Sequence, residues 1–305
     1  MKILIIGLGS IGKKHVDALL KINEFFIIYS LRSSKNSGIY KSVINIYKQE
    51  EIKKLNLDLI IISNPTFFHK NTLEQLKVFK KPVFIEKPLF HKLNINSIVN
   101  YYESNNIFSY VGCNLRFLDS LIYVKDKILV SDKEINEVNV YCGSYLPDWR
   151  EGNFRENYSS KSELGGGIHL DSIHEIDYIY WMFGSPIEIH RVLKSKSSLS
   201  VNSIDYANYT LDYGKFCVNI IMNYYRKFPK RNLELLTENN IYEIDILKNV
   251  VFKNDTNIFN SNQTIIDTYY LQMLYTLKCV KNDLKSFNSI KDAYNVLKIC
   301  LNESK

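Results

Sequence analysis

K-I-L-I-I-G-L-G-S-I-G-K-K-H, residues Lys2 to His15, is an apolar strand that runs straight into G-x-G-x-x-G (Gly7, Gly9, Gly12) and then into helical periodicity. The order strand, glycine turn, helix is what a dinucleotide site requires. Gly7 permits the tight turn, Gly9 leaves room for backbone to approach a pyrophosphate, and Gly12 lets helix and strand pack closely. Ser10 and Ile11 complete the turn at the helix N-terminus, whose N–H groups and dipole face the anion.

Outward from that stretch, short apolar strands alternate with helical patterns: Ile3–Ile6, Phe25–Tyr29, Leu57–Ile62, Val83–Ile85 and Phe108–Val111. This alternation predicts a Rossmann-type, doubly wound parallel sheet over residues 1–117, with ligands at its carboxyl edge. After Phe117 the pattern changes. A helix near Leu118–Val130, a strand near Val138–Ser144, a polar aromatic loop and a glycine-opened helix to Phe183 come first. Alternating segments such as Phe216–Ile220 follow, and then two closing helices near Ile265–Asn282 and Ile290–Asn302. The expectation is an α+β domain over 118–305 with an open, mostly antiparallel sheet, for substrate binding and oligomerisation.

Composition narrows the function. At 305 residues, 46% hydrophobic and 23% charged, the chain has the length of two domains sharing a cleft. The net charge of +7 comes from scattered lysines among many Asn, Ile and Tyr residues, so nucleic-acid binding is not expected. The five cysteines are odd in number and form no C-x-x-C pair, which points to reduced, buried thiols and no metal site. The N-terminus enters a strand at once and no apolar run reaches membrane-spanning length, so a cytoplasmic protein is expected.

Several side chains carry the chemistry. Lys87 follows the apolar run Pro82–Ile85 and precedes Pro88, which favours an extended lysine at the sheet's carboxyl edge. There, burial and a nearby cationic nicotinamide would lower its pKa and let it exchange a proton with a substrate hydroxyl. Asp171, His174, Glu175 and Asp177 crowd an otherwise apolar helix, and on one continuous helix residues 167, 171, 174 and 178 share a face. The second strand ends in Tyr29-Ser30-Leu31-Arg32-Ser33-Ser34 without the carboxylate of an NAD-preferring site. Ser30, Arg32 and Ser33 therefore suit a 2′-phosphate, making NADP the expected cofactor and NAD the alternative. In the loop Tyr145–Tyr158, Trp149 and Tyr158 can stack on a pyranose, while Arg150 and Arg155 can hold a carboxylate or phosphate; a plain surface loop is the competing reading.

Taken together the chain resembles the Gfo/Idh/MocA oxidoreductases, the glucose–fructose oxidoreductase and inositol dehydrogenase group. The resemblance rests on the glycine loop with His15, on Asn64-Pro65-Thr66 with His69, on Glu86-Lys87-Pro88, on Gly112-Cys113-Asn114-Leu115-Arg116-Phe117, and on Gly165-Gly166-Gly167 with Asp171 and His174. It implies an NAD(P)-dependent dehydrogenase acting on a secondary alcohol of a sugar or an activated or acidic sugar. Lys87 would be the acid/base, helped by His174 and Asp171. Asn64, Pro65, His69, Glu86, Asn114 and Arg116 would line the cofactor, and Arg116 would also meet substrate. It further implies a homodimer or homotetramer. The usual Asp-x-x-x-His spacing is here Asp171-x-x-His174, which leaves open whether His174 or Glu175 holds the histidine position; an imidazole titrates nearest neutral pH and favours His174. Two alternatives remain: a dinucleotide-binding regulator, and a sugar enzyme using transient oxidation for elimination or glycoside cleavage.

Overall fold

The computed structural model describes residues 1–36 and 38–301. Its chain forms two compact units, Met1–Asn114 with Ile265–Leu297, and Leu115–Thr264 with the segment from Lys298 on. The first crossing lies between Asn114 and Leu115. Helix Ile265–Lys281, expected in the second domain, instead belongs to the first unit and packs on helix Ser10–Ile22. The contact is partly aromatic: the ammonium groups of Lys14 and Lys21 lie 5.0 and 4.8 Å from the ring centroids of Tyr269 and Tyr270. Such long-range packing leaves no mark in local periodicity.

In the first unit, strands β1 (Lys2–Ile6), β2 (Ile27–Leu31), β3 (Ile44–Ile46), β4 (Leu59–Ile62), β5 (Val83–Glu86) and β6 (Ser109–Gly112) form one sheet in the order β3-β2-β1-β4-β5-β6. Every pairing is parallel. All residues of β4, β5 and β6 are buried, as continuous apolar runs in a sheet covered on both faces should be. The short β3 gave no readable sequence signal.

The second unit carries β7 (Ile135–Tyr145), β8 (Glu188–Lys194), β9 (Tyr206–Asp212), β10 (Cys217–Asn223), β11 (Tyr225–Thr237), β12 (Ile241–Asp245), β13 (Val250–Lys253) and β14 (Thr256–Asn260). They form one sheet in the order β14-β13-β12-β11-β7-β10-β9-β8, antiparallel except for the parallel pair β7 and β10. Ala207, Tyr209 and Leu211 alternate inward with Val218, Ile220 and Met222, and the residues between them stay partly exposed. That is the period-2 signature of a sheet with one covered face.

Two expectations need correction. The single helix read from Gly165 to Phe183 is two helices, Ile168–Asp171 and His174–Phe183, separated at Ser172 and Ile173. Thus no continuous helical period puts residues 167, 171, 174 and 178 on one face. Of the five thiols expected to be buried, Cys217 is exposed while Cys113, Cys142, Cys279 and Cys300 are buried, and all five are free.

Candidate functional site

The glycine turn is shaped by close approach. Gly7 has φ +96°, and a Cβ there would lie 2.3 Å from the Asn64 nitrogen. A Cβ on Gly12 would lie 2.2 Å from the Gly7 carbonyl oxygen. No larger residue fits either position without displacing backbone. Gly9, by contrast, faces open space within 4 Å. It also N-caps helix Ser10–Ile22, which has no side-chain cap and no acidic residue in its first turn. The helix N–H groups thus lack a protein anion, and the turn suits a pyrophosphate.

Beside this turn, at the carboxyl ends of β1 and β2, lies a cavity of about 290 Å³ lined by Ile6, Leu31, Asn64, Phe68, Thr72 and Gln75 among others. Sequence reasoning missed Leu31, Phe68, Thr72 and Gln75. The signal available was helical spacing: 68, 72 and 75 recur at i, i+4 and i+7 and so share a face. Asn64 reaches Thr72 Oγ1 through Nδ2 at 2.8 Å, and Pro65 N-caps the turn Thr66–Phe68. At the second strand, Leu31 lines the cavity while Ser30 is fully buried, its hydroxyl without a hydrogen-bond partner. Strand alternation turns Ser30, expected in the phosphate pocket, inward. Arg32 is half-buried, its N–H bonded to the Ile46 carbonyl at 2.9 Å, and Ser33 is exposed.

Lys87 stands at the end of β5, half-buried, with a cis peptide to Pro88. Its neighbours are held on both sides. Glu86 Oε1 lies 2.6 Å from His15 Nε2, and Glu86 Oε2 accepts the Lys87 N–H at 3.2 Å. His69 Nδ1 lies 3.1 and 3.2 Å from the Pro88 and Leu89 carbonyl oxygens, and its Nε2 lies 2.9 Å from the Asn64 carbonyl oxygen. Burial holds the His69 pKa below the ordinary histidine value, against the pull of those carbonyls. Expected as a cofactor contact, His69 is a buried tie between two loops. Asn114 is likewise engaged, donating to Thr268 Oγ1 at 2.7 Å.

In the second unit, Arg116 is buried and forks onto Asp177, Nε to Oδ2 at 2.9 Å and Nη2 to Oδ1 at 2.8 Å. The residue expected to touch cofactor and substrate therefore neutralises a buried carboxylate, and Asp177 belongs to the fold. Glu175 is fully buried, with Oε1 2.6 Å from Arg231 Nε on β11. His174 opens the second helix and is buried.

Asp171 is the centre of a polar cluster. Its Oδ1 accepts from Tyr158 Oη at 2.8 Å and its Oδ2 accepts a short bond from Tyr224 Oη. Burial, with Asp171 adding, pushes both phenols above the usual tyrosine pKa, so they remain donors and hold the carboxylate in one orientation. Tyr224 carried no sequence signal; only its place between β10 and β11 brings it here. Gly166 makes the cluster possible, since a Cβ there would lie 2.1 Å from the Tyr158 carbonyl oxygen. The Arg150 guanidinium lies 5.0 Å from the Tyr158 ring centroid, and Trp149 packs edge-on against Tyr224 at 5.2 Å. Arg155 donates to the Leu199 carbonyl at 3.0 Å and lies over Phe154. The loop is thus tied to Asp171 through Tyr158, while Arg155 leans on backbone.

The family model for oxidoreductases with an NAD-binding Rossmann fold matches residues 1–112, and the GFO/IDH/MocA C-terminal domain matches residues 123–243. The chain belongs to the Gfo/Idh/MocA family. Glucose-6-phosphate 3-dehydrogenase of Bacillus subtilis is 28% identical over 236 residues, 72% of this chain and 67% of that protein. A 2,7-anhydro-N-acetylneuraminate hydratase of Mediterraneibacter gnavus is 22% identical over 185 residues, 59% of this chain and 48% of its own length. Among curated relatives the matched stretch spans from 36% to 67% of their lengths. The structure of UDP-N-acetylglucosamine 3-dehydrogenase GnnA from Acidithiobacillus ferrooxidans superposes with a TM-score of 0.82 at 13% identity, covering 99% of this chain and 96% of that one; this likeness is one of fold. Among the described residues of this Gfo/Idh/MocA chain, no helix is long and apolar enough to cross a membrane. No cluster of three His, Cys, Asp or Glu residues suited to a metal is found among them either.

Proposed function

We propose that this NAD-binding oxidoreductase interconverts a secondary alcohol and a ketone on a sugar bearing an anionic group, a phosphate, carboxylate or nucleotide diphosphate. The observation that carries the reading is Lys87, placed at the carboxyl end of β5 with the chain on both sides of it bonded into the unit that holds the glycine turn. The open space at Gly9 and the uncapped helix behind it fit a dinucleotide pyrophosphate, held there by Gly7, Gly9, Ser10, Ile11 and Gly12. Bound nicotinamide supplies the two-electron chemistry at the alcohol carbon. Lys87 exchanges the hydroxyl proton. In the second unit Asp171, oriented by Tyr158 and Tyr224, and His174 are the groups proposed to assist as catalytic residues. With Glu175 committed to Arg231, His174 takes the family's histidine position. Arg32 favours NADP, with NAD as alternative. Arg150 and Trp149 supply anion and ring contacts. The protein is proposed to be cytoplasmic and a homodimer or homotetramer.

The relative named as an anhydrosialic acid hydratase favours a second reading, in which oxidation is transient and the net reaction is not redox. One experiment tests both. The protein is incubated with NADPH, NADP, NADH or NAD and with neutral, phosphorylated, carboxylated and nucleotide-linked sugars, following absorbance at the reduced nicotinamide band and products by mass spectrometry. Net cofactor conversion with an anionic sugar supports the dehydrogenase; product without conversion supports the second reading; neither, in a protein that binds cofactor, leaves a regulator and overturns both.

A further inference from the structure

Two of the sequence motifs, those with His15 and His69, converge from two different helices on a third, within the tetrapeptide Glu86-Lys87-Pro88-Leu89. His15, on helix Ser10–Ile22, is fully buried and takes Glu86 Oε1 at 2.6 Å, while the other oxygen of that carboxylate accepts the Lys87 N–H. His69, on helix His69–Leu76, lies with one ring nitrogen against the carbonyls of Pro88 and Leu89 and with the other against Asn64. The residue before Lys87 is therefore held from the glycine-turn helix and the residues after it from the helix that follows β4.

Neither histidine is placed to act on a ligand directly. His15 has no accessible surface and packs edge-on against Phe84, with ring centroids 4.8 Å apart. Both ring nitrogens of His69 face backbone carbonyl oxygens. What both do is restrict the backbone that carries the lysine. A side chain on a loop loses alignment when its backbone drifts, and misplacement by about 1 Å costs roughly a hundredfold in rate.

We infer that His15 and His69 are positioning residues that bracket Lys87 and align its amine for proton exchange. The inference rests on the proposed role of Lys87 as acid/base. It makes two predictions that a merely structural role does not: the loss falls on turnover per cofactor-loaded site, and it acts through Lys87.

The test is a double-mutant cycle on the whole protein, scored as kcat per site titrated by cofactor binding. His15→Ala and His69→Ala should each lower kcat per site about 10- to 100-fold, with cofactor Kd and substrate KM within about twofold. His15→Gln, whose amide donates to Glu86, should recover most of that loss. In a Lys87→Ala background, either histidine substitution should change the residual rate by less than about twofold, because the group they align is gone. Full turnover per site in both histidine variants would overturn the bracket, and so would a loss of equal size with and without Lys87. The wild-type rate surviving in Lys87→Ala alone would instead sink the acid/base assignment, a result separate from the histidine arms. If His69→Ala binds no cofactor for want of folding, His15→Ala and its Gln rescue still decide the matter.

Discussion

At the carboxyl edge of the first unit, three buried ionisable groups are held by one another or by backbone: His15 lies against Glu86, and the His69 ring faces three carbonyls. In the second unit four of them are taken up in charge pairs, Arg116 with Asp177 and Arg231 with Glu175. The first arrangement leaves Lys87 at the edge on a fixed backbone. The second removes most of the charge that made helix His174–Phe183 look like a site, leaving Asp171 and His174 as its candidates. Buried pairs of this sort are dear to break and nearly neutral to replace with apolar residues of similar shape, so they mark folding more often than chemistry.

The sharpest way to break the comparison is Arg116→Ala. If Arg116 serves the fold, Asp177 is stranded in the interior and stability should fall by about 3–5 kcal/mol in denaturant unfolding, with cofactor affinity per folded molecule unchanged. Unchanged stability with weakened cofactor binding would restore Arg116 to the dinucleotide site.

A second test concerns His169, a buried histidine of the second unit whose pKa is lowered to about 4 by burial. In the unfolded chain it takes a proton near pH 6.5. Between those values the unfolded chain binds the extra proton, so stability is complete above about pH 6.5 and declines as pH falls towards 4. The loss is on the order of 3 kcal/mol. Unfolding curves at pH 7 and pH 4.5 should show it, and His169→Gln should shrink the difference, leaving the part that buried His91 and His69 contribute. A pH dependence identical in variant and wild type would place the titration elsewhere.

For the first unit, Lys87→Ala should reduce turnover by at least ~100-fold while cofactor titration stays within about twofold of wild type. A variant that loses cofactor binding in step with turnover would make Lys87 a binding residue. The smallest expected effect is at Arg32. NADPH should bind the wild type more tightly than NADH, and Arg32→Asp should cost about tenfold in NADPH affinity by calorimetry, on the scale of one charge-assisted contact. Since Ser30 is buried, Ser30→Ala should leave the preference alone, and a change there would mean that β2 is turned differently from its burial pattern.

The elements legible from sequence were those with a local cause. A glycine turn is dictated by steric contact within a few residues and by the strand beside it, so Gly7 and Gly12 could be assigned packing roles that the close approaches at Asn64 and at the Gly7 carbonyl match. Continuous apolar runs separated by helices imply a parallel sheet, and topology then puts the loop after each strand at the carboxyl edge, which is how Lys87 and the turn holding Asn64 were placed; Asn114 came from the family resemblance. The α+β character of the second unit was equally readable from alternation in segments such as Phe216–Ile220.

What the tertiary structure alone decided are the pairings between residues far apart in the chain. Nothing near Arg116 announces Asp177, nothing near Glu175 announces Arg231, and nothing near Asp171 announces Tyr224. A charged residue in an apolar helix reads the same in sequence whether it meets a ligand or a counter-charge, because burial penalises both until a partner is supplied. The break at Ser172 and Ile173 and the return of helix Ile265–Lys281 to the first unit are of the same kind, set by packing against distant segments. Sequence determined the fold class and pointed to one sheet edge for the proposed chemistry; long-range packing determined which charged side chains pair with one another inside the fold.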